Sequence, residues 1–132
     1  MVKEVTHCGS CMNAAHYSAA VRNGNVLYLS GQLPLDPVTR EACHGSAKEQ
    51  TLKALQNVER LCQQEFGDRG RVVRTTAYIA GIDLWEEVNE AYAEFFGDYR
   101  PARTIVAVKE IHYGFLVEIE AIAVLEESEC NQ

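Results

Sequence analysis

Residues 115–125 carry the clearest alternation in the chain. Phe115, Val117, Ile119, Ala121, Ala123 and Leu125 fall on one side, and Leu116, Glu118, Glu120, Ile122 and Val124 on the other. Both sides are mainly apolar, which predicts a central strand covered on two faces. Helices elsewhere in the chain can cover one face. The other needs material that one copy does not contain, so the pattern implies an oligomer, and symmetric closure favours a ring.

The remaining elements follow from periodicity and punctuation. Residues 1–13 show neither helical nor strand period and read as an N-terminal arm, ordered only if it docks. Tyr17–Val21 and Val26–Gly31 flank Arg22-Asn23-Gly24-Asn25, where Asn-Gly between apolar runs predicts a β-hairpin. Pro34, Asp36 and Pro37 mark a loop running to about Gly45. Ser46-Ala47-Lys48-Glu49 fits a capping box, and Leu52, Leu55, Val58, Cys62 and Phe66 give the following helix one apolar face that stops at Gly67. Arg71–Ala80 reads as a strand. Asp83 with Glu86 repeats the capping signal for a second helix, marked by Leu84, Val88, Ala91, Tyr92 and Phe95 and ending at Gly97. Arg103–Val108 is a further strand, and Lys109–Gly114 a turn. The order predicts an α+β fold: a mixed sheet with two helices on one face, formed by a single domain over 14–127, with a tail at 128–132.

With 132 residues the chain can bury one core and no second. A net charge of −7 argues against nucleic acid as a partner, because phosphate recognition needs clustered Lys and Arg. No apolar run approaches a membrane span of roughly 20 residues. The first residues lack a secretory signal, so a cytoplasmic location is expected. The five cysteines, 8, 11, 43, 62 and 130, form no framework and read as free thiols. Cys8 and Cys11 could hold zinc with His7 or His16, but a second ligand pair is missing, so no metal is expected.

Few residues combine into chemistry. Glu120 shares a strand face with apolar Ile122 and Val124, and a carboxylate there needs a partner or a proton. Arg103 opens the preceding strand, and in one antiparallel ladder it could approach Glu118 or Glu120. A structural ion pair is the plainer reading. No serine stands in a nucleophile elbow, no Gly-rich loop precedes a helix in phosphate-binding form, and the four histidines lack metal-ligand spacing.

Four segments resemble motifs of the RidA/YjgF family in order and spacing: Tyr28-Leu29-Ser30-Gly31-Gln32-Leu33-Pro34; Gln50-Thr51 with Leu55 and Asn57; Pro101-Ala102-Arg103-Thr104; and Val117-Glu118-Ile119-Glu120-Ala121-Ile122-Ala123-Val124. The resemblance covers about residues 15–125. It implies a chorismate-mutase-like fold, a homotrimer with active sites in clefts between subunits, and cofactor-free hydrolysis of 2-imino acids to 2-keto acids and ammonia. In that reading Arg103 binds the substrate carboxylate, Glu120 handles the attacking water, Tyr17 lines the pocket, and Ser30 with Gly31 form its backbone wall. Two departures stand out. Ala15-His16-Tyr17-Ser18-Ala19 replaces the frequent Gly-Pro-Tyr-Ser-Gln, and Ile105 stands where a cysteine is common, so Ile105 bears on substrate preference. Rival readings are an endoribonuclease or translation inhibitor, a label carried within the family, and a non-catalytic trimer that captures carboxylate ligands.

Overall fold

The computed structural model describes residues 1–7 and 15–127. Among these residues six strands form one mixed sheet: β1 (Val2–Val5), β2 (Ala20–Asn23), β3 (Val26–Gln32), β4 (Gly70–Ile79), β5 (Ala102–Ala107) and β6 (Val117–Leu125). Their spatial order is β1-β2-β3-β6-β4-β5. Two helices, α1 (Ala47–Phe66) and α2 (Trp85–Phe96), cover one face.

β6 is central, as its alternation requires. Val117, Ile119, Ala121 and Ala123 are buried in one core with Leu55, Val58 and Leu61 of α1 and Val88 and Tyr92 of α2. Glu118, Ile122 and Val124 on the opposite face are only half-buried and Glu120 is exposed. Beside them lie Tyr28 and Val26 of β3, paired with Ile122 and Val124, and Arg74 of β4, also paired with Ile122. Tyr28 is 48% exposed. The face therefore has the composition of a partly buried surface and no cover among the described residues.

The capping box forms as its residues dictate. Ser46 Oγ accepts from the Glu49 amide at 3.1 Å, Glu49 Oε1 accepts from the Ser46 amide at 3.1 Å, and α1 ends at Gly67 with φ +61.

Four local expectations are revised. The hairpin loop is Gly24-Asn25, because Asn23 still pairs with Val26; Gly24 takes φ +61 at the first turn position, where a two-residue loop can demand it. Tyr17 consequently precedes the hairpin rather than starting it. Residues 2–5 of the arm do dock, as β1 antiparallel to β2, with Val5 buried. Lys3 and Arg22 share Glu65 of α1 at 3.1 and 3.6 Å, which ties both strands to the helix. Asp83 does not cap α2: Leu84 is its N-cap, without a side-chain bond, and Ile82–Leu84 form a short 3-10 turn. Finally, β5 does not lie beside β6. It runs parallel to β4, which separates the two, and α2 makes the crossover such a parallel pair needs.

Candidate functional site

The position of β5 decides where Arg103 points. Arg103 pairs with Thr75, and Thr75 pairs with Ala121; Thr75 and Ala121 are both buried on the helix side of the sheet. Side chains across neighbouring strands share a face, so Arg103 projects toward α2. Its Nη1 donates to Asn89 Oδ1 at 3.0 Å. The guanidinium lies 4.9 Å from the Tyr92 ring centroid and 5.4 Å from that of Trp85. Aromatic faces stabilise a cation without neutralising it. Among the described residues Arg103 belongs to none of the ion pairs. It lines a cleft of about 530 Å³ with Asn89, Tyr92, Phe96 and Tyr99. Tyr92 is fixed by a 2.8 Å bond to Thr75, and burial pushes its phenol up to about 12. The cleft thus presents a positive, planar, bidentate donor on a rigid aromatic floor, suited to a carboxylate.

The two glutamates lie on the other face. Glu120 pairs with Thr76 and Glu118 with Tyr78. Glu120 is exposed, and its Oε1 accepts from the Tyr78 hydroxyl at 2.9 Å. Glu118 is half-buried and rests on Gly31: a Cβ at residue 31 would meet Glu118 Oε2 at 2.5 Å. Burial, then the charge of Glu120, raises the Glu118 carboxyl above its ordinary value, with His112 opposing. It is Glu118 that the structure brings to the Ser30–Gly31 wall, and Glu120 that it leaves on the open face. Periodicity could not separate them, because both alternate onto the same side of β6.

Ser30 and Gly31 sit in a bulge of β3, where the pairing with β6 shifts between Leu29 and Gln32. The Ser30 hydroxyl donates to Ser18 O at 2.7 Å and its amide to Ala19 O at 2.9 Å, which holds the bulge against the Tyr17–Ala19 segment. Tyr17 itself is 55% exposed. Ile105 is half-buried on the Arg103 side and packs against the core. Arg103 and Ile105 are therefore grouped on one face, with Glu118, Glu120 and the bulge grouped elsewhere. No single copy unites Arg103 with either glutamate.

Several motif polars prove to frame the site. Buried Gln50 accepts from the Leu116 amide at 2.8 Å and donates to Gly45 O at 3.0 Å. Buried Asn57 donates to Leu33 O and Leu35 O at 3.0 and 2.7 Å. His7 is buried and bonds Gln32 Oε1 through Nε2 at 2.9 Å, while Gln32 Nε2 donates to Ser30 O. Only His7, of the possible zinc set with Cys8, Cys11 and His16, shows a described role in the core; Cys8, Cys11 and Cys130 lie outside the described residues. Among the described residues no cluster of three His, Cys, Asp or Glu is placed to hold a metal ion, and no helix is long and apolar enough to cross a membrane.

A mixed sheet with two helices on one face, a bulge under a half-buried glutamate and an arginine cleft under the second helix define an α+β protein of one recognisable class. The chain matches the family described as endoribonuclease L-PSP over residues 10–125. It is 38% identical to a RutC family protein of Pyrococcus horikoshii over 107 residues, 81% of this chain and 85% of that protein. The crystal structure of RidA from a Psychrobacter species superposes with a TM-score of 0.78 at 32% identity, covering 86% and 92% of the two chains. That of the Escherichia coli YjgF gene product superposes with a TM-score of 0.83 at 30% identity, covering 92% and 98%. The chain belongs to the RidA/YjgF, or endoribonuclease L-PSP, family.

Proposed function

We propose that this protein hydrolyses small 2-imino acids to 2-keto acids and ammonia without a cofactor, in clefts between the subunits of a homotrimer. The observation that carries the reading is Glu118: a half-buried carboxyl, held above its ordinary pKa by burial and packed on the one residue of β3 that lacks a side chain. In this reading Arg103 of one copy fixes the substrate carboxylate. The bulge at Ser30–Gly31 of a second copy forms the wall beside the imine, and Tyr17 lines its edge. Glu118, rather than Glu120, takes a proton from water as its oxygen bonds to the imine carbon. It returns that proton to nitrogen; the carbinolamine then collapses, its hydroxyl closing to the carbonyl and passing its own proton to the departing nitrogen as the C–N bond breaks and ammonia leaves. A carboxyl whose affinity for protons is raised serves both steps better than an ordinary one. An iminium carbon is already electrophilic, so positioning supplies most of what remains.

The family description names an endoribonuclease, but the charge of −7 weighs against a phosphate backbone as substrate. The deciding experiment couples a threonine or serine dehydratase to the purified protein and follows keto-acid release. Acceleration over the spontaneous rate, lost in Arg103→Ala, is the expected result. A wild-type rate in Arg103→Ala removes the reading, and tight keto-acid binding without turnover replaces it with a carboxylate-binding trimer.

A further inference from the structure

The turn leading into β6 has features that water activation at Glu118 does not require. Tyr113 adopts φ +63, a conformation that strains a residue with a side chain, and yet the residue is 60% exposed. The ring lies 3.8 Å from that of His112 between centroids, at 41°, and meets Phe115 edge-on at 6.3 Å and 85°. Phe115 is buried and stacks on His44 at 4.8 Å and 10°. The backbone behind them is pinned on both sides of Leu116, whose amide donates to Gln50 and whose carbonyl accepts from Ala80. An exposed tyrosine is thereby held in a strained turn, on a rigid aromatic support. Strain of this kind persists where the surroundings fix it, and it concentrates at ligand-contacting sites. The turn also opens onto the site, since it leads into β6, whose second residue is Glu118.

We infer that the His112–Tyr113 turn is the wall against which the substrate side chain packs, and that it selects imino acids with a planar, aromatic or conjugated side chain over small aliphatic ones. The inference rests on the deaminase reading and adds the substrate class. A flat side chain has the surface to stack on an exposed ring at the entry to the strand that carries Glu118. An ethyl group offers too little surface to gain from the same ring. Ring stacking of this sort discriminates by about five- to tenfold.

The test generates imines in place from phenylalanine and from 2-aminobutyrate with an L-amino-acid oxidase and catalase. It compares the ratio of the two kcat/KM values in wild type, Tyr113→Gly and Tyr113→Phe. Glycine adopts φ +63 without strain, so Tyr113→Gly keeps the turn and removes only the ring. The expected result is a wild-type ratio favouring the phenylalanine imine, retained in Tyr113→Phe and reduced about fivefold or more in Tyr113→Gly. A ratio favouring the small imine, a ratio unmoved in Tyr113→Gly, or a fall seen only with a changed sedimentation coefficient overturns the inference. If neither imine is hydrolysed, the deaminase reading fails, and calorimetric binding of phenylpyruvate against 2-oxobutanoate decides the wall separately. A preference for phenylpyruvate that Tyr113→Gly abolishes supports it, and equal affinities overturn it.

Discussion

Arg103 and Glu118 occupy opposite faces of one sheet. Arg103 stands in the row Arg103–Thr75–Ala121, which faces the helices, and Glu118 in the row Val106–Tyr78–Glu118, which faces away from them. With β4 between their strands and the sheet between their side chains, a reaction that needs both groups needs two copies of the chain.

That geometry predicts complementation. Arg103→Ala and Glu118→Gln are each expected to be inactive alone. When the two are unfolded together and refolded as mixed assemblies, a cleft is whole if one neighbour supplies the arginine and the other the glutamate. Random mixing of equal amounts makes about a quarter of the clefts whole. Recovery of keto-acid release toward that fraction is the expected outcome, and a mixture as dead as its parents shows that the two residues never share a site.

Glu118 is also expected to weaken the fold at neutral pH. Its folded-state pKa is raised, chiefly by burial and then by Glu120. Folding therefore favours the protonated form: the contribution is fully favourable below the unfolded carboxyl range and is lost as pH rises through the folded value. Glu118→Gln should lower turnover by about 10²–10⁴ while melting at a higher temperature than wild type at pH 7. The difference in Tm should vanish near pH 4. A lower Tm at pH 7 would show that the carboxylate is a stabilising group.

The uncovered face predicts its own disruption. Ile122, half-buried between Tyr28 and Arg74, is at the middle of the open surface. A carboxylate placed there is costly to desolvate in an interface. Ile122→Glu should sediment as a monomer, keep its far-ultraviolet circular dichroism, and lose keto-acid release because each cleft loses its second wall. A fully active monomer would contradict the shared-site geometry.

Low pH should act through His7. With Nε2 bonded to Gln32, its buried Nδ1 has no partner among the described residues, and burial lowers its pKa below 6.5. A lowered histidine makes a contribution that is present above the unfolded value and lost as pH falls through the folded one. Asp36 and Arg60 act on the ring with opposite signs and leave burial dominant. His7→Phe strands Gln32 and should cost about 1–3 kcal/mol at pH 8, with a smaller deficit at pH 5, measured by urea unfolding. An equal deficit at both pH values would mean that His7 does not titrate in this range.

Much of this was legible from the chain. The alternation of Val117–Leu125 placed β6 at the centre and foretold an uncovered face, and Ser46 with Glu49 marked the start of α1. What the pattern could not carry was relations between strands. Nothing in residues 102–107 says that they pair with β4 instead of β6, so an approach of Arg103 to Glu118 or Glu120 within one ladder was a natural but incorrect expectation. The choice between the glutamates depended on Gly31, whose contact with Glu118 is created by a bulge that leaves no spacing signature. The role of His7 was hidden for a similar reason: its partner, Gln32, is remote in sequence, and residues 2–5 show no strand period of their own.

Gln50 ties three pieces of the molecule with one amide: the first turn of α1, the end of the preceding loop at Gly45, and the residue just before β6. A lesion there would reach the chemistry without touching any bound molecule. Loosening that amide would let the Tyr113 turn and the Glu118 carboxylate drift together. On the proposed function, an inherited or engineered change at position 50 would then present as altered selectivity and slower turnover, although the altered residue is sealed inside the protein.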